Sequence, residues 1–106
     1  MKRQVIWSQD ARRDLIEAVE YIAEDAPQAA VKLSSALIQS AQSLGLHSTG
    51  RLGRIPGVYE KSLPKYLYVM AYRIVPGSDG ETIVILRIVH TSRDWPIGGW
   101  LGRPTT

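Results

Sequence analysis

Three runs rich in β-branched and aromatic residues, Tyr59 to Leu63, Leu67 to Val75 and Thr82 to His90, follow one another, broken by Pro64-Lys65 and by Pro76-Gly77-Ser78-Asp79-Gly80. Runs of this kind bounded by Pro and Gly read as strands, and connections so short join neighbours antiparallel. The stretch is therefore expected to be a three-stranded meander. Alternation places Leu67, Val69, Ala71, Arg73 and Val75 on one face of the middle strand, and Tyr66, Tyr68, Met70, Tyr72 and Ile74 on the other. The same rule groups Ile83, Ile85, Arg87 and Val89 against Val84, Leu86, Ile88 and His90.

Two cations interrupt these apolar runs. Arg73 follows Val69-Met70-Ala71-Tyr72, and Arg87 divides Ile83-Val84-Ile85-Leu86 from Ile88-Val89. An unpaired guanidinium is costly to bury, so each must reach solvent, an anion or a carboxylate. Glu60 on the neighbouring strand is one possible partner across the sheet. Neither face is plainly polar, which predicts that one side meets helices and the other forms a partly covered groove carrying Arg and Tyr.

The preceding half supplies the helices. Gln4 to Trp7 is a short apolar run, read as an initial strand of the sheet. Ser8 can cap a helix with Asp10 in its first turn, and Leu15, Ile16, Val19, Ile22 and Ala23 recur at helical spacing while the charged residues between them form a solvated face. Glu24-Asp25-Ala26-Pro27 ends this helix and starts a second, with Asp as the cap and Pro in the first turn. There Ala30, Leu33, Leu37, Ala41 and Leu44 form the apolar line, and Gly45 offers a left-handed exit. Helices joined by so short a link are expected to pair as an antiparallel hairpin. Gly45 to Gly57 reads as a loop with a basic character, whose glycines lack the spacing of a phosphate-binding loop.

With 106 residues, 44% apolar and 22% charged, the chain has the size of one soluble domain with one modest core. It contains no cysteine and two histidines, His47 and His90. No disulfide framework, thiolate zinc site or cofactor is expected, and a cytoplasmic protein with no membrane segment is. Up to Thr49 there are five Lys/Arg against six acids, and from Gly50 onward eight against four. The net charge of +3 is thus a sheet-half excess, which points to an acidic or nucleic-acid partner. Residues 96–106 read as a tail, with Trp95 at the core edge and Trp100 as a candidate partner contact.

The order strand, helical hairpin, Gly/Arg loop and meander, with Gly53-Arg54 before Tyr59-Glu60, then Tyr72-Arg73, then Ile85-Leu86-Arg87-Ile88-Val89-His90 ahead of Arg93-Asp94-Trp95, resembles the RelE/ParE toxins of bacterial type II toxin–antitoxin modules. That resemblance implies an α+β domain: an N-terminal strand and a two-helix hairpin packed on an antiparallel sheet completed by the C-terminal meander. It also implies a cognate antitoxin as partner. RelE-like members cut mRNA on the ribosome, whereas ParE-like members inhibit DNA gyrase.

Metal-free RNA cleavage needs a base, an acid and cations around the phosphorane. Where a RelE-like lysine is expected the chain has Glu60, and near Tyr68 a family arginine is replaced by Val69. An RNase would have to use Lys61, Arg73, Arg87 and His90, with Tyr68 for stacking or proton relay. The expectation is therefore a ParE-like toxin that binds gyrase through Arg54, Lys61, Arg73, Arg87, Arg93 and Trp100 and performs no chemistry of its own. The alternatives are a ribosome-dependent mRNA endonuclease and a harmless homologue that only binds an antitoxin.

Overall fold

The computed structural model of the chain describes residues 3–47, 50–53, 55–77 and 80–91. Five strands and two helices follow in the order β1 (Gln4–Trp7), α1 (Gln9–Ala23), α2 (Pro27–Leu44), β2 (Arg51–Leu52), β3 (Tyr59–Leu63), β4 (Tyr68–Gly77) and β5 (Gly80–His90). They form one sheet in the order β1-β5-β4-β3-β2. β1 runs parallel to β5, and the other pairings are antiparallel. The meander, the initial strand and the hairpin are as the sequence predicts, giving an α+β fold. The loop after α2 differs, because Arg51–Leu52 pair with Tyr59 and Glu60 to add an edge strand.

The core lies between the hairpin and one face of the sheet. Ala11 and Ala18 of α1, Leu33, Leu37, Ala41 and Leu44 of α2, and Met70, Tyr72, Ile83, Ile85 and Ile88 of the sheet form one buried cluster. The apolar line expected for α2 is the line it buries. In α1 the stripe is shifted: Ala11, Leu15, Ala18 and Ile22 face inward, while Ile16 is exposed. Two alanines on the buried line let the helix approach β5 closely, and the bulky Ile16 lies one position off it.

The caps also differ in part. Ser8 caps α1 as expected, its side chain accepting from the Ala11 N–H. The cap of α2 is Ala26, with no side-chain hydrogen bond, and Pro27 opens the helix. Gly45 leaves α2 with φ −68°, so no left-handed exit is formed. Its small size serves another purpose: a Cβ there would lie 2.7 Å from the Arg3 carbonyl, which belongs to the chain entering β1.

The faces of β4 follow the alternation, with Tyr66, Tyr68, Met70, Tyr72 and Ile74 toward the helices. Those of β5 do not. The register shifts between Ala71 and Tyr72, so that Ala71 opposes Arg87 and Tyr72 opposes Ile85, leaving Leu86 without a partner across the ladder. This bulge resets the phase. Ile83, Ile85 and Ile88 all join the helix-side core, while Leu86 and Val89 join Val58, Ala71 and Ile55 in a second cluster. Arg73 and the tyrosines lie on opposite faces of β4, so they do not share the expected groove.

Candidate functional site

The bulge in β5 is held from α1. Ser8 donates from its backbone N–H to the Ile85 carbonyl (2.9 Å) and from its Oγ to the Leu86 carbonyl (2.9 Å). One turn into the helix, Asp14 accepts from Arg87 Nε (2.7 Å), from Arg87 Nη2 (3.0 Å) and from the Ile88 N–H (2.9 Å). A bulge disrupts the ladder locally, and here side chains of the helix meet backbone groups on both sides of it. Arg87 thus finds its carboxylate on α1 and not at Glu60. The hydrogen bonds that Arg87 donates to Asp14, opposed by partial burial and aided by the charge of the carboxylate, raise the Arg87 pKa above its ordinary value.

Asp14 was expected on a solvated helix face. Its side chain is only 11% exposed, against 27% for Arg87. The signal for it was present in the sequence, since Asp14 lies three residues after Ala11 and four before Ala18, on the line that α1 buries. A carboxylate in that register, with an arginine inside an apolar strand, is a pair waiting to be matched.

The remaining predicted residues are dispersed. Arg73 opposes Val84 and is exposed, Lys61 opposes Met70 and is half-buried, and His90 opposes Tyr68 at the far end of the β4–β5 ladder. Arg73 lies five positions along β4 from Tyr68, roughly 17 Å at the rise of a strand. His90 packs edge-on to Tyr68 with ring centroids 5.1 Å apart. Arg54, Arg93 and Trp100, together with Trp95, lie outside the described residues.

Glu60 is 4% exposed, with Arg51 and Ala71 as its cross-strand neighbours. Two glycines allow the edge to close over this region. A Cβ on Gly53 would lie 2.6 Å from Glu60 Oε2, and one on Gly50 would lie 2.8 Å from the Glu60 carbonyl and collide with the Tyr72 hydroxyl. Tyr72 in turn stacks on Tyr59, with centroids 5.5 Å apart and planes inclined by 20°.

Two cavities open where β4 begins and β5 ends. One, of about 420 Å³, is bordered by Asp14, Glu17, Tyr21, Tyr68, Ile88 and His90. The other, of about 380 Å³, is bordered by Tyr21, Ile22, Lys32, Leu33, Lys65 and Tyr66, and again by Tyr68 and His90. Sequence reasoning named Tyr68 and His90 but missed Tyr21 and Lys32, which only the packing of the hairpin brings beside them. Among the described residues no cluster of His, Cys, Asp and Glu could hold a metal ion. No helix among them is long and apolar enough to cross a membrane.

Residues 5–95 match the family model described as ParE toxin of type II toxin–antitoxin system, parDE. A protein of Sinorhizobium fredii (strain NBRC 101917 / NGR234) bearing the name "Putative toxin Y4kP" is 29% identical over 96 residues, covering 90% of this chain and 95% of that protein. Among solved structures, a chain of the chromosomal ParDE toxin–antitoxin system from P. aeruginosa superposes with a TM-score of 0.74 at 23% identity, covering 86% of this chain and 98% of that one. A chain of the RelBE2 toxin–antitoxin complex from Mycobacterium tuberculosis superposes with a TM-score of 0.58 at 24% identity, covering 85% and 92%. At these identities the two structures establish a shared fold.

Proposed function

The chain belongs to the ParE toxin family of type II toxin–antitoxin systems, and from this premise we propose that it arrests growth by binding DNA gyrase and is neutralised by a cognate antitoxin. The observation that supports binding over RNA cleavage is the dispersal of the four residues an RNase would need. Arg87 is engaged by Asp14 through two of its three guanidinium nitrogens, Nε and Nη2. Arg73 stands roughly 17 Å along the strand from the Tyr68–His90 pair. A phosphorane needs its acid, base and cations around one phosphate, and Arg73 and His90 cannot share one at that separation.

Binding a macromolecule asks less of geometry. Exposed cations spread over a surface steer and orient a charged partner without converging on one atom. Arg73 is an exposed cation of the sheet, Lys61 adds to the basic half, and Arg54, Arg93 and Trp100 are further contacts in this scheme. Arg87 acts in this scheme by fixing α1 to the sheet.

Induction of the chain alone in bacteria tests the proposal. Growth arrest with gyrase trapped on chromosomal DNA and intact ribosome-bound mRNA is expected. Arrest with cut mRNA and untouched gyrase would favour the endonuclease, and no arrest at all would favour a homologue that only binds an antitoxin.

A further inference from the structure

The sheet has a second face, turned away from the hairpin. Val5, Trp7, Ile83, Ile85, Tyr72 and Ile74 enter the helix-side core, so alternation sends the residues between them outward. Two rows result. Ile6, Val84 and Arg73 are cross-strand neighbours on β1, β5 and β4, and Gln4, Thr82 and Val75 form the row beside them. Ile6 is 42% and Val75 38% exposed, Val84 and Thr82 are half-buried, and Arg73 is exposed. Neighbouring strands lie about 4.8 Å apart, so three side chains in a row span roughly 10 Å. The patch is flat and largely aliphatic, and it carries one guanidinium. Among the described residues Arg73 has no ion-pair or hydrogen-bond partner, whereas Arg3 meets Glu81 at 2.9 Å and Arg87 meets Asp14 at 2.7 Å. Glu81, next to Thr82, points to the opposite face, and Glu60, which shares the outer face with Ala71, is only 4% exposed. No exposed carboxylate of the described residues therefore faces this patch.

We infer that this patch receives a protein surface of the target, one that places a carboxylate on Arg73 and lays aliphatic or aromatic side chains over Ile6, Val84 and Val75. An arginine beside contiguous exposed apolar side chains has the composition of a protein interface, in which the apolar area supplies the contact and the charge pair sets its register. A nucleic-acid strand fits poorly, because it is held by several cations along its phosphates, and here one cation stands among β-branched aliphatics that gain nothing from a phosphate. The inference rests on the proposed gyrase-binding function and specifies it: the chain touches the enzyme itself and not the DNA that the enzyme holds.

The test titrates the full chain calorimetrically into purified DNA gyrase with no DNA added, and the wild type is expected to bind. Arg73→Ala, and separately Ile6→Thr with Val75→Thr, which keeps β-branched side chains on both strands, are each expected to weaken binding at least tenfold with an unchanged melting temperature. Val31→Thr, at an exposed apolar position of α2 in the other layer, should bind as the wild type does. Patch variants that bind within twofold of the wild type would overturn the site, as would equal weakening by Val31→Thr. Binding that appears only once DNA is added, is lost with Arg73→Ala and is retained by the double threonine variant would overturn the protein partner. A wild-type chain that neither binds gyrase nor traps it on DNA would overturn the gyrase function and the occupant of the patch with it, a result distinct from gyrase binding that is indifferent to the patch variants.

Discussion

Asp14 and Arg87 stand 73 positions apart in the chain and meet through two hydrogen bonds, with Arg87 Nε 2.7 Å from Asp14 Oδ2. The same carboxylate accepts the Ile88 N–H, so one acid of α1 holds both a strand cation and the backbone beside the β5 bulge. Removing it leaves a partly buried guanidinium and a backbone donor without their acceptor. Asp14→Ala is expected to lower stability by about 2–4 kcal/mol, read from urea denaturation, with Asp14→Asn costing less because its amide oxygen can still accept. A loss below about 0.5 kcal/mol would show that the clasp contributes little.

The pH dependence of the same pair has a definite sign. Arg87 has its pKa raised in the folded state, chiefly by the hydrogen bonds it donates to Asp14. A raised cation contributes stability that is complete below its unfolded pKa and is lost only as pH rises through the folded one. For an arginine that window lies in strong alkali. Between pH 7 and 9 the difference in stability between the wild type and Arg87→Met should therefore stay constant, as measured by denaturant melts across that range.

Gly53 and Gly50 let the β2 edge close over Glu60 and Tyr72. A Cβ on Gly53 would meet Glu60 Oε2 at 2.6 Å and the Val58 carbonyl at 2.9 Å. Overpacking of this kind costs about 1–3 kcal/mol, so Gly53→Ala should lower the melting temperature. Gly57→Ala meets no neighbouring atom, although its φ of +79° makes it costly for a backbone reason. Calorimetric melting of the two variants measures both costs.

Much of the fold was legible because it rests on short-range patterns. The runs Gln4–Trp7 and Tyr59–Leu63, the Ser8 cap and the buried line Ala30, Leu33, Leu37, Ala41 and Leu44 all follow from periodicity and local chemistry. What failed depends on contacts between distant segments. The bulge near Leu86 cannot be read from alternation, because the extra residue is stabilised by Ser8 and Asp14 from another element. Leu52 and Arg51 form a strand only because β3 is there to pair with them. At the site, the demand that Arg87 find an anion was legible, but its partner was sought on the adjacent strand when it lay on a helix.

Arg73 offers the cleanest separation of function from stability. It is exposed near the middle of β4, where removing a cation changes stability by no more than about 0.5 kcal/mol. Arg73→Ala should nonetheless weaken growth arrest by about tenfold in the inducer needed, with an unchanged melting temperature. Equal toxicity of Arg73→Ala and the wild type would exclude this face as the target contact.

The most direct measurement combines purified chain, DNA gyrase and supercoiled plasmid, followed by detergent and protease to reveal trapped cleavage complexes. Linear DNA in the presence of the wild-type chain is predicted, retained with His90→Ala and reduced with Arg73→Ala. Gyrase activity unaffected by the chain, together with cleavage of ribosome-bound mRNA that disappears with His90→Ala, would contradict a toxin that works by binding.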